Sequence, residues 1–223
     1  VSSASRFRDR HNAGRQLGER LNEVRWDQPV VLGLARGGVP VAFEVARMLH
    51  APLDVLVVRK LGVPSHRELA FGAIAEGDAL VLNSEMVQRL GLSRRSVRGV
   101  IAREREELSH RVQMYRADRR SVELLGRSVI IVDDGLATGA TAQVAVKVAR
   151  SRGATRIMIA VPVSPRETMA ELRGRTIEVT SLKVPSDFRA VGEWYEDFDQ
   201  TSDLEVTSLL TEAQSDGQVP HDD

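Results

Sequence analysis

Residues 129–141, VIIVDDGLATGAT, join a run of apolar β-formers to two adjacent acids and a small-residue loop that runs into an Ala/Val-rich helical pattern. A buried parallel strand is read from Val129, Ile130, Ile131 and Val132. It delivers Asp133 and Asp134 to its carboxyl end, where open α/β sheets bind ligands. Gly135 and Gly139 let the backbone turn closely around a bound group, Thr138 and Thr141 add hydroxyl donors, and Leu136, Ala137 and Ala140 complete the loop. The free N–H groups and dipole of a helix beginning near Thr141 favour an anion. This chemistry suits a sugar phosphate, with the phosphate in the loop and ribose hydroxyls on the acids. Competing readings fail on particular residues. The loop lacks the Gly-Lys-Ser/Thr ending of an NTPase loop and the alternating glycines of a dinucleotide fingerprint. Gly135 stands where an aspartyl-phosphate phosphatase needs a second Asp.

Two further constellations also sit at strand ends. In LARGGVPVAFEVA, residues 34–46, a strand ends in Arg36-Gly37-Gly38 and a helix follows at once. The glycines allow close backbone approach to an anion, and Arg36 supplies a forked cationic donor. In VVRKLGVP, residues 57–64, Arg59 and Lys60 are adjacent. Neighbouring strand residues point to opposite faces, so Arg59 or Lys60, rather than both in the same way, would approach one phosphate.

The run at 129–141 resembles the PRPP (5-phosphoribosyl 1-diphosphate) motif of the type I phosphoribosyltransferases. The resemblance implies an α/β fold, a mostly parallel sheet flanked by helices, with a small C-terminal hood and a mobile lid. It implies Mg²⁺- and PRPP-dependent transfer of a 5-phosphoribosyl group to a nitrogen heterocycle, most like a purine base, with release of pyrophosphate, as in nucleotide salvage. Residues 133–141 would then hold PRPP, and Asp133 and Asp134 would bind the ribose hydroxyls and the metal, directly or through water. Arg36, Gly37 and Gly38 match the family's pyrophosphate loop, with Arg59 and Lys60 assisting. Residues 62–77 match its catalytic lid, although 70–75 and 79–82 also read as paired strands. Where 6-oxopurine enzymes carry an Asp, this chain has Ala137. Adenine enzymes place an acid on the mobile loop instead, a role that falls to Glu68 or Glu76, with Glu68 preferred. In the hood, LKVPSDFRAVGEWYEDF at 182–198 echoes the 6-oxopurine enzymes, and Lys183 and Phe188 would read the base, with Asp197 beyond them. The intervals around Gly192 are each one residue longer than in that pattern, so Trp194, Tyr195 and Phe198 are alternatively hood core. A second class shares the same motifs: a non-catalytic PRPP- or nucleotide-sensing regulator. Arg36, Arg59 and Lys60 favour transfer, because a 5′-phosphate sensor needs no grip on pyrophosphate.

The elements that position these residues alternate. Strands are predicted at 29–34, 53–58, 128–132, 157–161 and 176–182, and helices at 39–49, 142–151 and 166–173, which points to a mostly parallel sheet. Residues 93–116 read as an inserted charged amphipathic helix with Val97, Ile101, Leu108, Val112 and Tyr115 on one face. That stripe would pack on the sheet or on a second subunit, and a homodimer is expected. The predicted organisation is a core over 1–182, a hood over 183–210 and a disordered tail over 211–223. With 223 residues, 42% hydrophobic and 28% charged, the chain has ordinary globular composition. Zero formal net charge gives no bulk pull toward nucleic acid or membrane. There is no cysteine and no apolar run long enough to cross a bilayer, so cytoplasmic residence is expected. The five histidines show no metal-ligand spacing. The chain opens on Val1 rather than Met, which suggests a trimmed start.

Overall fold

The computed structural model describes residues 6–64, 66–77, 79–116, 119–175 and 177–216, with backbone alone at 66–68 and 216. In chain order the elements are α1 (Arg10–Asn22), β1 (Val30–Ala35), α2 (Gly38–Met48), β2 (Leu53–Val63), β3 (His66–Ala75), β4 (Leu80–Leu82), α3 (Ser84–Arg89) and α4 (Arg94–Arg116). They continue with β5 (Ser128–Val132), α5 (Ala140–Ser151), β6 (Arg156–Val163), α6 (Arg166–Gly174), β7 (Glu178–Lys183), a 3₁₀ turn (Val191–Trp194) and α7 (Asp203–Asp216). One sheet runs β4-β3-β2-β1-β5-β6-β7. The pairs from β2 through β7 are parallel, and β3 and β4 close one edge antiparallel.

Both faces of the sheet are covered, so its central strands are apolar throughout and alternate residues serve different layers. Val31, Ile130 and Val132 pack with Leu17 of α1, Val45 of α2, Leu108 of α4 and Val206 of α7. Val30, Leu32, Val129 and Ile131 pack with Val144 and Val148 of α5 and Leu172 of α6. The crossover after β1 therefore lies on one face and that after β5 on the other. Where neighbouring strands send their chains to opposite faces, a crevice opens at their carboxyl ends.

The α/β, mostly parallel architecture agrees with the sequence reading, but three local expectations change. Residues 62–77 carry strands where a lid was expected: the alternative pairing of 70–75 with 79–82 forms, with Ile74 opposite Leu80 and Gly72 opposite Leu82, and β2 continues to Val63 and pairs with β3, from Val58 opposite Ala75 to Val63 opposite His66. Register shifts at Leu61/Gly62 and Gly62/Val63 interrupt the alternation, which hides a hairpin from period counting. Residues 211–216 are the end of α7 rather than a disordered tail; 217–223 lie outside the described residues. Val206, Leu209 and Leu210 are buried and Ala213 packs beside them, so α7 returns to the core layer instead of extending the hood. Finally, α1 was not expected. Asp9 caps it by accepting from the Asn12 N–H at 2.6 Å, and Ala13, Leu17 and Leu21 form its buried stripe. Among the described residues no helix is long and apolar enough to cross a membrane.

Candidate active site

Sheet register brings the sequence motifs together. Gly33 lies opposite Val132 across β1 and β5, and Ala35 lies opposite Val57 across β1 and β2. Arg36, Asp133 and the Val58–Lys60 segment therefore leave three adjacent strands at one level. They surround a cleft of about 480 Å³, whose wall takes Arg36 and Gly37 from the first turn, Arg59 and Lys60 from β2, and Asp133, Asp134, Thr138 and Thr141 from the loop after β5. Val191 and Phe198 of the hood close the far side.

The Arg-Gly-Gly turn is packed directly on the acid pair. A Cβ on Gly37 would stand 2.1 Å from Asp134 Oδ2, and one on Gly38 would stand 2.6 Å from the Val132 carbonyl oxygen and 2.8 Å from the Asp133 Cα. These glycines are needed to let two loops touch, before any ligand arrives. Asp133 Oδ1 accepts from the Asp134 N–H at 2.9 Å, and the Tyr195 hydroxyl donates to the Asp134 carbonyl at 2.6 Å. Asp134 Oδ2 also accepts from Arg10 Nε at 3.0 Å and lies 2.9 Å from Arg10 Nη2. Arg10 donates to the Asp199 carbonyl at 2.7 Å as well, and its guanidinium lies 3.9 Å from the centre of the Phe198 ring. The sequence contained no local signal for this residue, which reaches the site from α1.

Burial holds both carboxyls above the ordinary aspartate range. For Asp133 the neighbouring Asp134 charge adds to the effect, while Lys60 and Arg10 oppose it in both. Burial also pushes the Tyr195 hydroxyl upward, with help from Asp134. Arg10→Ala would leave Asp134, whose side chain is only 16% exposed, without its cation. The expected cost is about 2 kcal/mol, below that of a fully buried pair because some water reaches it. A thermal melt should show a drop of roughly 4–8 °C, whereas an unchanged melt would show that the contact contributes nothing.

The cations separate by face, as strand geometry requires. Arg59 turns to α4 and donates to Glu104 Oε2 from Nε at 3.1 Å and Nη2 at 2.8 Å. Lys60 carries the charge felt by the acid pair. Arg36 Nη1 lies 3.6 Å from Asp203 Oδ2, and Asp203 in turn accepts from the buried Tyr115 hydroxyl. Of the candidate acids, Glu68 has a side chain outside the described residues. Glu76 accepts from Arg116 Nη2 at 2.9 Å and is not on the cleft wall.

The base-reading residues expected from the hood are not on the wall either. The Lys183 ammonium lies 4.0 Å from the Phe7 ring centre, and the half-buried Phe188 does not reach the cleft. Val191 and Phe198 stand there instead. Phe198 packs against both Arg10 and Tyr195, whose ring centre is 5.0 Å away, while still lining the cleft. Tyr195 joins Phe7 and Ala13 in a small core with Trp194 and Phe198 around it, which is the hood-core alternative for these aromatics.

The loop after the acids runs directly into α5. Gly139 caps α5 at φ +69°, a region that a side chain would strain. The loop is tied at one end by the Leu136 N–H, which donates to the Val163 carbonyl at 2.9 Å. From α6 the Thr168 hydroxyl donates to the Ala137 carbonyl at 2.5 Å.

Comparison with known proteins agrees with this geometry. Residues 73–198 match the family model described as the phosphoribosyl transferase domain. Two Mycobacterium tuberculosis proteins, from strains CDC 1551 and H37Rv, provisionally named phosphoribosyl transferases, are each 50% identical over 210 residues. The match covers 94% of this chain and 47% of theirs, so the chain spans about half the length of these curated relatives. A crystal structure of a Thermus thermophilus protein superposes with a TM-score of 0.78 at 44% identity, covering 93% of this chain and 98% of that one.

Proposed function

The chain belongs to the phosphoribosyl transferase family, and from that premise we propose that it transfers the 5-phosphoribosyl group of PRPP to a nitrogen heterocycle of purine type, releasing pyrophosphate. The observation that carries the proposal is the convergence of the acid pair, the Gly139 loop and the Arg-Gly-Gly turn on one cleft. Transfer requires the bond between the anomeric carbon and pyrophosphate to break as the acceptor nitrogen bonds to that carbon. Positive charge grows on the ribose and negative charge on the leaving group. Backbone N–H groups of the loop over 135–141 would anchor the 5′-phosphate, and that remote binding places the reacting carbon. Asp133 and Asp134 would hold the ribose hydroxyls close to the developing positive charge. Arg36 and Lys60 would face the pyrophosphate, and Arg59 would join them by exchanging its Glu104 partner for the leaving group. The acceptor would lie against Val191 and Phe198.

The donors suit Mg²⁺. Two recessed carboxylates offer only oxygen atoms, and among the described residues no group of three acidic, histidine or cysteine side chains forms a complete protein cage. That matches a hard cation that keeps several waters and is completed by substrate phosphates. Asp133 and Asp134 would hold it directly or through water, and the ion would neutralise charge on the departing pyrophosphate.

The test is pyrophosphate release from PRPP with Mg²⁺ in the presence of adenine, hypoxanthine, guanine, xanthine, uracil or orotate. Release that requires one of the purines is the expected result. PRPP binding without release for any acceptor would favour the second reading, a PRPP- or nucleotide-sensing protein. One observation supports that alternative: carboxylates already engage both arginines on the leaving-group side, Arg36 through Asp203 and Arg59 through Glu104. Failure to bind PRPP would overturn the transferase reading and the PRPP-sensing one.

A further inference from the structure

We propose that Thr168 is a positioning residue for the 5′-phosphate loop, acting from α6 without touching the substrate; the inference rests on the transferase reading of that loop. Thr168 is the third residue of α6 and is buried, and it does not line the cleft. Its hydroxyl donates to the Ala137 carbonyl, whereas Ala137 itself and Thr138 are exposed on the cleft wall. In a trans peptide the C=O and the following N–H point in opposite directions. Drawing the Ala137 carbonyl toward α6 therefore aims the Thr138 N–H away from α6, toward the cleft. Among the described residues that N–H has no acceptor. An N–H aimed into a cleft at the start of a helix is a donor for an anion.

The methyl group of the same side chain has a separate role. It lies 3.1 Å from where a Cβ on Gly139 would stand, with Leu172 methyls at 3.6 Å. Thr168 thus packs on the one loop residue with a left-handed backbone while its hydroxyl sets the peptide two residues earlier. Together with the bond from the Leu136 N–H to the Val163 carbonyl, this holds the loop to the β6–α6 unit at both its entry and its turn. Water offers little replacement for the hydroxyl, because Thr168 is 7% exposed. Loss of the bond would free the Ala137 peptide to rotate and blur the donor direction. The cost would appear at the phosphate, because the cations that would face pyrophosphate lie in the turn after β1 and on β2, on the other side of the acid pair.

Thr168→Val tests this well, since it keeps the shape and the methyl contact and removes only the hydroxyl. Thr168→Ser is the complement, keeping the hydroxyl and removing the methyl. Isothermal titration with two probes, ribose 5-phosphate and magnesium pyrophosphate, separates the two ends of the cleft. Thr168→Val should weaken ribose 5-phosphate by about tenfold, the worth of one well-placed hydrogen bond, and leave pyrophosphate unchanged. Thr168→Ser should restore ribose 5-phosphate to within about twofold of wild type, because the donor is back. Thermal melts on both variants show whether each remains folded at the titration temperature. A Thr168→Val protein that binds ribose 5-phosphate as wild type does would overturn the positioning role alone, and so would equal weakening of both probes. A wild-type protein that binds neither probe would overturn the transferase reading and this inference with it.

Discussion

Replacing both acids, in the double variant Asp133→Asn, Asp134→Asn, should lower pyrophosphate release from PRPP by roughly 10²–10³-fold, on the scale of losing one preorganised charge-stabilising group. Asparagine keeps the shape of the cleft and some hydrogen bonding to ribose, but it offers neither a negative charge near the anomeric carbon nor anionic oxygens for a cation. The companion expectation concerns stability and runs the other way. Burial and mutual repulsion raise the folded-state pKa of Asp133 above its ordinary value. A carboxyl whose folded pKa is raised favours the folded state below its unfolded pKa, and that contribution is lost as the pH climbs through the folded pKa. Toward neutral pH the burial of Asp133 beside Asp134 therefore works against the fold. Asp133→Asn alone should recover about 1 kcal/mol there, the usual scale when a site residue is relieved of functional strain, and raise the melting temperature by roughly 2–4 °C. Asp134→Asn should gain less, because Arg10 loses the carboxylate it faces. Melting curves from pH 4 to 8 would check the sign: the advantage of Asp133→Asn should shrink toward the acid end. A constant advantage across that range would show that electrostatics is not its source.

The division between what the sequence made legible and what it hid follows the range of the interactions. Val129–Val132 could be read as a buried strand because both its faces are covered, which demands a continuous apolar run. The loop after it was legible because its Gly, Thr and Asp residues do their work within a few positions of one another. Arg10 was not, since its partner Asp134 is 124 residues away and the tertiary packing of α1, chiefly on α2, brings the two together. Val191 is equally ordinary in its own segment and reaches the cleft wall after β7, and Thr168 reaches the Ala137 carbonyl from the helix after β6. The pairing of 70–75 with 79–82 was legible, but the extension of β2 and its pairing with β3 were obscured by register shifts, and Lys183 and Phe188 were displaced by a hood that packs Phe198 and Val191 against the cleft instead. For α7 a signal was present and unused. Ser202 followed by Glu205 has capping-box spacing, and the Ser202 hydroxyl accepts from the Glu205 N–H at 3.0 Å.

Gly37 and Gly38 are adjacent, yet alanine should damage the protein differently at each, and the difference separates the site from the fold. At Gly38 the added methyl would meet the Val132 carbonyl and the Asp133 Cα, both parts of a backbone fixed in the centre of the sheet. Neither can withdraw without pulling β5 from β1, so Gly38→Ala should cost about 3 kcal/mol, at the upper end for overpacking. The melting temperature should fall by roughly 6–12 °C. At Gly37 the obstruction is the Asp134 carboxylate, with Arg10 Nε at 3.3 Å behind it. A side chain can rotate away. Gly37→Ala should therefore keep most of its stability, while the displaced carboxylate reduces pyrophosphate release by about 10²-fold, the scale of a 1 Å misplacement in a preorganised site. Melting and release assays on the two variants would decide the matter. If Gly37→Ala retained wild-type release, Asp134 could leave its present position without penalty, and its contact with the Arg-Gly-Gly turn would be packing rather than part of the catalytic arrangement.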